Sequence, residues 1–240
     1  MNEKKKELWI LAFLILALLV INYPFFNNAL EGFLAEEGWE YANVSRVIDG
    51  DTIEINGNES VRLLGINTPE RGEKYYKEAK EFLAGLVSNK TIKLERMGED
   101  EDKYKRSLRY VFLDNRNINI ELVKNGFANY YFYSGKDRYS TRLENAWENC
   151  LQEEINLCES SDDRCAGCID IEPNYIINQC GFSCNITSWQ IKGEGRAKII
   201  FNAVLKPNEK IDFELNVSNS GDSLFLRDEE GKLVLWGIEN

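Results

Sequence analysis

Four short segments between residues 49 and 106 gather side chains able to hold a phosphate or move a proton. They are Asp49-Gly-Asp51-Thr52, Arg62, Asn67-Thr-Pro-Glu70 and Asp102-Lys-Tyr-Lys-Arg106. Any one of them alone reads as solvated loop charge. Together they supply hard oxygen ligands from Asp51, Asn67 and the Thr68 carbonyl, a base in Glu70, and guanidinium groups in Arg62 and Arg106. Calcium prefers such oxygens and keeps waters in its shell. A phosphodiester passing through a five-coordinate dianion needs a cation and arginine donors aimed at its equatorial oxygens. None of this requires imidazole, and the 240-residue chain has no histidine. That excludes the Ser-His-Asp triad, the Cys-His dyad, His-ligated zinc and every other imidazole mechanism.

Turns and strand ends must hold these segments, and the flanking pattern supplies them. Asn43–Ile48 and Thr52–Ile55 alternate in polarity and are split by the turn signal Asp49-Gly50-Asp51. Asn56-Gly57 marks the next hairpin turn, followed by a strand over Ser60–Ile66. Apolar Tyr76, Ala79, Phe82, Leu83 and Leu86 recur at helical spacing and predict a helix over Glu73–Val87. Thr91–Arg96 and Ser107–Leu113 read as strands around the charged stretch Glu99–Arg106, and Ile118–Lys124 as a short helix stopped by Gly126. Thr141–Cys158 reads as a closing amphipathic helix. Five strands plus helices over 40–158 suit an α+β fold built on an OB-fold barrel.

The polar stretch Glu159–Arg164 reads as a domain boundary. Beyond it only strands are expected, at Ile169–Glu172, Ile186–Ile191, Ala197–Phe201, Ile211–Leu215, Leu224–Arg227 and Leu233–Trp236. Turns at Lys206–Glu209, Asn219–Gly221 and Asp228–Gly231 separate them, which predicts an all-β sandwich over 165–240. Charge follows the same division. Of a net −11, residues 40–140 carry 17 basic and 17 acidic side chains, whereas residues 141–240 carry 9 and 18. The neutral middle leaves room for a local cationic groove; the acidic remainder is a poor partner for phosphate.

Residues 1–39 form a third zone. Lys4, Lys5 and Lys6 precede an apolar run from Leu8 to Ile21, extended by aromatic residues to Phe26, about the length that crosses a bilayer. The flanking charges put the N-terminus in the cytoplasm and the remainder outside as a single-pass membrane protein, with secretion after signal cleavage as the rival. Five N-x-S/T sequons, at Asn43, Asn58, Asn89, Asn185 and Asn216, agree with export. So do the six cysteines, Cys150, Cys158, Cys165, Cys168, Cys180 and Cys184, an even cluster that reads as disulfides of open pairing. The alternative is a Cys₄ zinc site from Cys165, Cys168, Cys180 and Cys184.

The motifs Val47-Ile-Asp-Gly-Asp-Thr52, Arg62-Leu-Leu-Gly-Ile-Asn-Thr-Pro-Glu70, Asp102-Lys-Tyr-Lys-Arg106 and Leu122-Val-Lys-Asn-Gly126, in that order and spacing, resemble the thermonuclease (staphylococcal nuclease-like) family. The resemblance implies an OB-fold and a Ca²⁺-dependent phosphodiesterase that cuts DNA and RNA to 3′-phosphates. It implies that Asp51 and the Thr68 carbonyl bind metal, that Arg62 and Arg106 clamp phosphate, and that Glu70 orients or deprotonates water. Lys103 and Tyr104 match residues that contact a terminal phosphate, and Tyr131 or Tyr133 would stack on a base. Two positions depart from the pattern. Asn67 replaces a metal aspartate, so calcium should bind more weakly or another divalent ion substitute. Lys105 replaces a turn glycine, at a cost of about 1 kcal/mol where φ must be positive.

The last third is similar to a lamin-tail domain, an immunoglobulin-like sandwich, through Cys184–Ile191, Leu205–Glu209 and Asn219–Asp228 with Gly231. Its expected ligand is a surface protein, a sugar or the cell envelope, and the chain is expected to be a monomer. The rival function is a non-catalytic surface OB-fold that binds single-stranded nucleic acid or oligosaccharide. A third, structural matrix protein, has only the sandwich in its favour.

Overall fold

The computed structural model describes residue 6 and residues 39–132, 135–172, 174–194, 197–215 and 223–238. The membrane-anchor reading, Tyr133, the turn at Asn219–Gly221 and the sequon at Asn216 fall outside the described residues. Among the described residues no helix is long and apolar enough to cross a membrane. Met1–Glu40 is a unit of its own, and Tyr41–Asn240 forms one compact unit.

The alternating pattern after Trp39 yields β1 (Trp39–Asp49), β2 (Thr52–Ile55) and β3 (Glu59–Leu63), joined by the two expected turns. A two-residue strand β4 (Ile66–Asn67) follows, then α1 (Tyr76–Val87), β5 (Thr91–Glu101), β6 (Ser107–Leu113), β7 (Arg116–Asn117), α2 (Ile118–Lys124), β8 (Asn129–Tyr130) and α3 (Ser140–Glu153). The main sheet runs β3-β2-β1-β5-β6-β7, and an additional parallel pairing of β3 with β6 closes five strands into a barrel. The OB-fold-like barrel is therefore present. Inward-facing Ile53, Ile55, Val61, Leu63, Ile92, Leu94 and Val111 fill it, all at most 1% exposed. α1 buries Ala79, Leu83 and Val87, four residues apart, on one helical face. α2 begins where the Asn117 side chain accepts the Ile120 amide at 3.1 Å. It ends before Gly126, at φ 67°, where a side chain would run into the Ile155 carbonyl.

Three expected elements of the barrel part come out shorter. The helix over Glu73–Val87 begins only at Tyr76, after left-handed Tyr75 at φ 66°. The strand over Ser60–Ile66 breaks at Gly65, at φ 71°, where a β-carbon would lie 2.6 Å from the Tyr110 hydroxyl. The helix over Thr141–Cys158 stops at Glu154, which is left-handed at φ 50°, and Asn156–Cys158 is a separate 3₁₀ turn. The reason is covalent. Cys150 and Cys158 form a disulfide with Cα atoms 5.8 Å apart, and residues eight apart on a continuous helix would be about 12 Å apart. Cys165–Cys184 and Cys168–Cys180 are the other two bridges, so no cysteine remains for the zinc alternative.

The last third is all strand, as expected: β9 (Ile169–Glu172), β10 (Tyr175–Asn178), β11 (Cys184–Asn185), β12 (Gln190–Lys192), β13 (Lys198–Ile200), β14 (Val204–Leu205), β15 (Lys210–Asp212), β16 (Ser223–Arg227) and β17 (Leu233–Ile238). They form sheets β15-β10-β9, β11-β14 and β13-β12-β16-β17 around buried Ile176, Trp189, Ile191, Phe201, Phe213 and Leu226. The polar stretch at Glu159–Arg164 is pinned rather than free. Leu233 N–H donates to the Glu159 carbonyl, and Ser161 N–H to the Leu233 carbonyl, both at 2.8 Å. The fully buried Trp147 of α3 meets Phe225 of β16 edge-on, with centroids 5.3 Å apart. The Trp236 indole donates to the Tyr130 hydroxyl at 3.2 Å, and the Ser223 and Tyr130 hydroxyls hydrogen-bond.

Trp147 thus packs helix against C-terminal sheet, although its indole N–H has no hydrogen-bond partner among the described residues. Trp147→Ala should lower unfolding free energy by about 3–5 kcal/mol. Trp147→Phe should cost clearly less, because it keeps the aromatic contact and removes a buried donor without an acceptor. Urea denaturation of the two variants checks the order.

Candidate active site

Asp51 leaves β2's leading turn at 3% exposure, with its carboxylate between three donors. Arg62 Nη2 lies 2.9 Å from Oδ2, the Thr68 amide donates to Oδ2 at 3.2 Å, and the Thr52 hydroxyl donates to Oδ1 at 3.0 Å. Burial alone would raise the Asp51 carboxyl; the Arg62 guanidinium and these hydrogen bonds outweigh it and hold the group below the usual carboxylate range. Neighbouring Asp49 is pushed up, first by burial and then by the Asp51 charge. Arg62 also donates to the Asn67 Oδ1 at 3.2 Å and to its neighbour's carbonyl, Leu63, at 2.8 Å. Strand pairing sets this up: Thr52 sits opposite Arg62 in the β2–β3 ladder.

Arg106 enters from the other side of the seam. Its Nη1 donates to the Thr52 Oγ1 at 3.1 Å, so one hydroxyl links Asp51 to the second arginine. Asp102 aims it, accepting from Arg106 Nε at 2.7 Å and from the amides of Tyr104 and Arg106 at 2.8 and 3.0 Å. Burial opposes the Asp102 charge, but those amides and the guanidinium keep its carboxyl low. Between them Lys105 is left-handed at φ 64°, the conformation expected of a turn that usually carries glycine.

A cleft of about 560 Å³ opens beside this pair. Its walls include Arg62, Asn67, Lys103, Tyr104, Arg106 and Tyr131, so six of the expected site residues share one cavity. Tyr104 is 59% exposed, with Lys103 Nζ 5.1 Å and Arg106 Cζ 5.4 Å from its ring centre. Asp51 and Thr68 stand behind the wall and reach it through Arg62. Glu70 is half-buried, two residues beyond Thr68, and is not part of the cleft lining.

A model of the family described as staphylococcal nuclease homologue matches residues 60–160. The thermonuclease of Staphylococcus intermedius is 38% identical over 125 residues, covering 48% of this chain and 74% of the relative. The thermonuclease of Staphylococcus hyicus is 30% identical over 161 residues, covering 61% and 94%. The chain belongs to the staphylococcal nuclease family. An uncharacterized endonuclease of Haemophilus influenzae is 39% identical over 108 residues, covering 43% of this chain and 60% of its own. Arg62, Glu70 and Arg106 fall inside the matched nuclease segment, whereas everything from β9 onward lies beyond it.

The nuclease residues fit a hard divalent cation. The Asp51 and Asn67 oxygens both lie within 3.2 Å of the same Arg62 nitrogen, so they converge, and Asp51 is held ionised. The donor set is thin, with an amide where a second carboxylate would add charge. Three further residues support the candidate site without having been expected there, two of them at its turns. A β-carbon on Gly50 would lie 2.8 Å from the Thr68 Oγ1, so glycine lets the Asp51 turn press against Thr68. Asn119 of α2, fully buried, accepts the Val111 amide at 3.0 Å and donates to the Leu64 carbonyl at 2.7 Å. That bond fixes the corner between Arg62 and Asn67. Gly50 was legible only as a turn, and a buried Asn leaves no periodic signal.

Glu73 is the third. Its Oε2 accepts the Glu70 amide at 2.8 Å, while Glu73 N–H donates to the Glu70 carbonyl at 2.9 Å. Burial works to raise the Glu73 carboxyl, but Lys192, Lys198 and the Glu70 amide hold it below the usual range. A depressed carboxylate stabilises the fold fully above its unfolded pKa and loses that contribution as pH falls through the folded value. Glu73→Gln should therefore lower the melting temperature most near neutrality, with the gap to wild type closing as pH falls below the ordinary carboxylate range. Lys105→Gly should raise stability by about 1 kcal/mol. It should leave nuclease kcat within about threefold, because Asp102 rather than residue 105 aims Arg106. Melting curves and initial rates check both.

Proposed function

We propose that this chain is a Ca²⁺-dependent nuclease that hydrolyses phosphodiester bonds of DNA and RNA to 3′-phosphates, held at a membrane by its N-terminal apolar run. The observation that carries this reading is the convergence of Arg62, Arg106, Lys103 and Tyr104 on one cleft within the family-matched segment. Arg62 from β3 and Arg106 from the turn before β6 approach a phosphate and neutralise charge that grows on its equatorial oxygens. Asp51, Asn67 and the Thr68 carbonyl would hold the cation, which supplies charge stabilisation when bound. Glu70 takes the proton of the attacking water, whose oxygen bonds to phosphorus as the bond to the 5′ oxygen breaks. Lys103 and Tyr104 receive a terminal phosphate, and Tyr131, with Tyr133 beyond the described residues, offers a ring to a base. Asn67 weakens calcium binding, so another divalent ion can replace it. The C-terminal region reads as lamin-tail-like from its sequence alone. A binding OB-fold without catalysis is the second reading, favoured by the position of Glu70 off the cleft wall.

Hydrolysis of single-stranded DNA by the full chain decides between them. Calcium should support cleavage and chelator abolish it, and Glu70→Gln and Arg106→Lys should each lower kcat by about a hundredfold or more. DNA binding without cleavage under several divalent ions would establish the binding reading instead. Cleavage that survives both substitutions would put the reaction at another site.

A further inference from the structure

Glu73 is held by residues that belong to no part of the nuclease segment. Lys198 Nζ lies 2.7 Å from its Oε1 and Lys192 Nζ 3.2 Å from its Oε2, one lysine from β13 and the other from β12. Their neighbours in sheet β13-β12-β16-β17 are fixed by a shared ladder, with Lys192 opposite Lys198 and Phe225. The pair is well shielded, with the side chains of Glu73 and Lys192 13% and 16% exposed. A carboxylate free to rotate would sample several rotamers; one gripped at both oxygens keeps the orientation in which it reaches back to the Glu70 amide. A wall of the cleft itself, at Phe132, is held in the same manner. The buried Glu194 accepts the Phe132 amide at 3.0 Å with one oxygen and the Ser223 amide at 3.1 Å with the other.

We propose that the C-terminal β region is a positioning element of the nuclease site, acting through the Lys192–Glu73 ion pair to fix the backbone of Glu70. Glu73 and Lys192 are positioning residues: they touch neither substrate nor metal, and they set where the Glu70 carboxylate can reach. The Glu70–Glu73 turn precedes α1 and is closed by the Glu73 N–H to Glu70 carbonyl bond, and the Glu70 amide at its start is held by the Glu73 carboxylate. This inference rests on the nuclease reading for its effect on rate, but its structural half can be read without activity.

The test uses the full chain with Glu73→Ala, Lys192→Met and Lys192→Arg, each alone and combined with Glu70→Gln. Glu73→Ala and Lys192→Met should lower kcat about ten- to a hundredfold with KM within about twofold, since misplacement of one reacting group costs about that much. Lys192→Arg should restore most of the rate. In the Glu70→Gln background Glu73→Ala should lower the residual rate no further, a non-additivity expected only if both act through one group. Amide hydrogen exchange at Glu70 should be at least about tenfold faster in Glu73→Ala and Lys192→Met, with exchange at Ile53 and Val61 in the barrel unchanged. Unchanged exchange at Glu70, or equal rate losses with and without Glu70→Gln, overturns the proposal. If the wild-type chain cuts no nucleic acid, the nuclease reading falls separately, and the brace on Glu70 stands or falls on the exchange rates.

Discussion

Closure of the barrel by the parallel pairing of β3 and β6 is the constraint on which the site depends. In that seam Arg62 lies opposite Leu108 and Val61 opposite Ser107. The antiparallel ladder on the other side of β3 puts Thr52 opposite Arg62. Arg62 and Arg106 are far apart in sequence, yet Arg62 lies within this junction and Arg106 one residue before it, and the Thr52 hydroxyl contacts both Asp51 and Arg106. A one-residue slip in either ladder would turn Arg62 to the other face and separate the two guanidinium groups. The apolar residues that alternate with them, Ile53, Val61 and Leu63, make such a slip expensive because it would expose the barrel core.

The Asp51–Arg62 pair is buried, with side chains 5% and 9% exposed. Such a pair is weak evidence for stability, since desolvating two ions roughly cancels their attraction. Its persistence is better explained by use. Arg62 is fixed by Asp51, Asn67 and the Leu63 carbonyl and also lines the cleft, so its guanidinium is already oriented where a phosphate would enter. Preorganisation of this kind means that little reorganises when a dianion arrives. The same arrangement explains why an amide is tolerated at Asn67: its oxygen still faces the guanidinium, and only charge is lost.

Much of the site could be read from sequence because its residues sit in turns whose chemistry is local. Asp49-Gly50-Asp51 and the Asn67–Glu70 segment follow from the residues themselves, whereas the positive φ of Lys105 was expected only through the family resemblance, since lysine disfavours it. The barrel strands were legible by alternation, and β2 and β6 have the expected bounds. What escaped depended on distant partners. The early end of α3 is dictated by Cys158 returning to Cys150, the corner at Gly65 by the Tyr110 and Leu143 side chains, and the orientation of Glu73 by lysines more than a hundred residues away. In the last third several strands are only two or three residues long, below the length at which a period shows. β10, β11 and β14 were hidden for that reason or behind the cysteine cluster.

Residues 141–240 carry 9 basic side chains against 18 acidic ones, and the cations described there are largely engaged. Lys192 and Lys198 hold Glu73, and Lys232 meets Asp162 at 3.3 Å. Arg164 lies 4.1 Å over the Phe182 ring, and Lys210 lies 3.8 Å over the Tyr175 ring. Arg227 donates to the Leu157 carbonyl at 2.6 Å, and burial pushes its pKa down to about 10. A track for a polyanion needs free cations in line, each releasing counterions as it meets a phosphate. This region offers the opposite, a mostly acidic exterior whose basic groups face inward or rest on rings. The cleft gathers Arg62, Lys103, Arg106 and Lys136 beside Glu99, Glu101, Asp102 and Asp137, so its charge is balanced where that of the last third is acidic. Side chains of the last third tie it to the nuclease segment, Glu194 at the Phe132 amide and Lys192 and Lys198 at Glu73, so its charged groups reach the barrel directly.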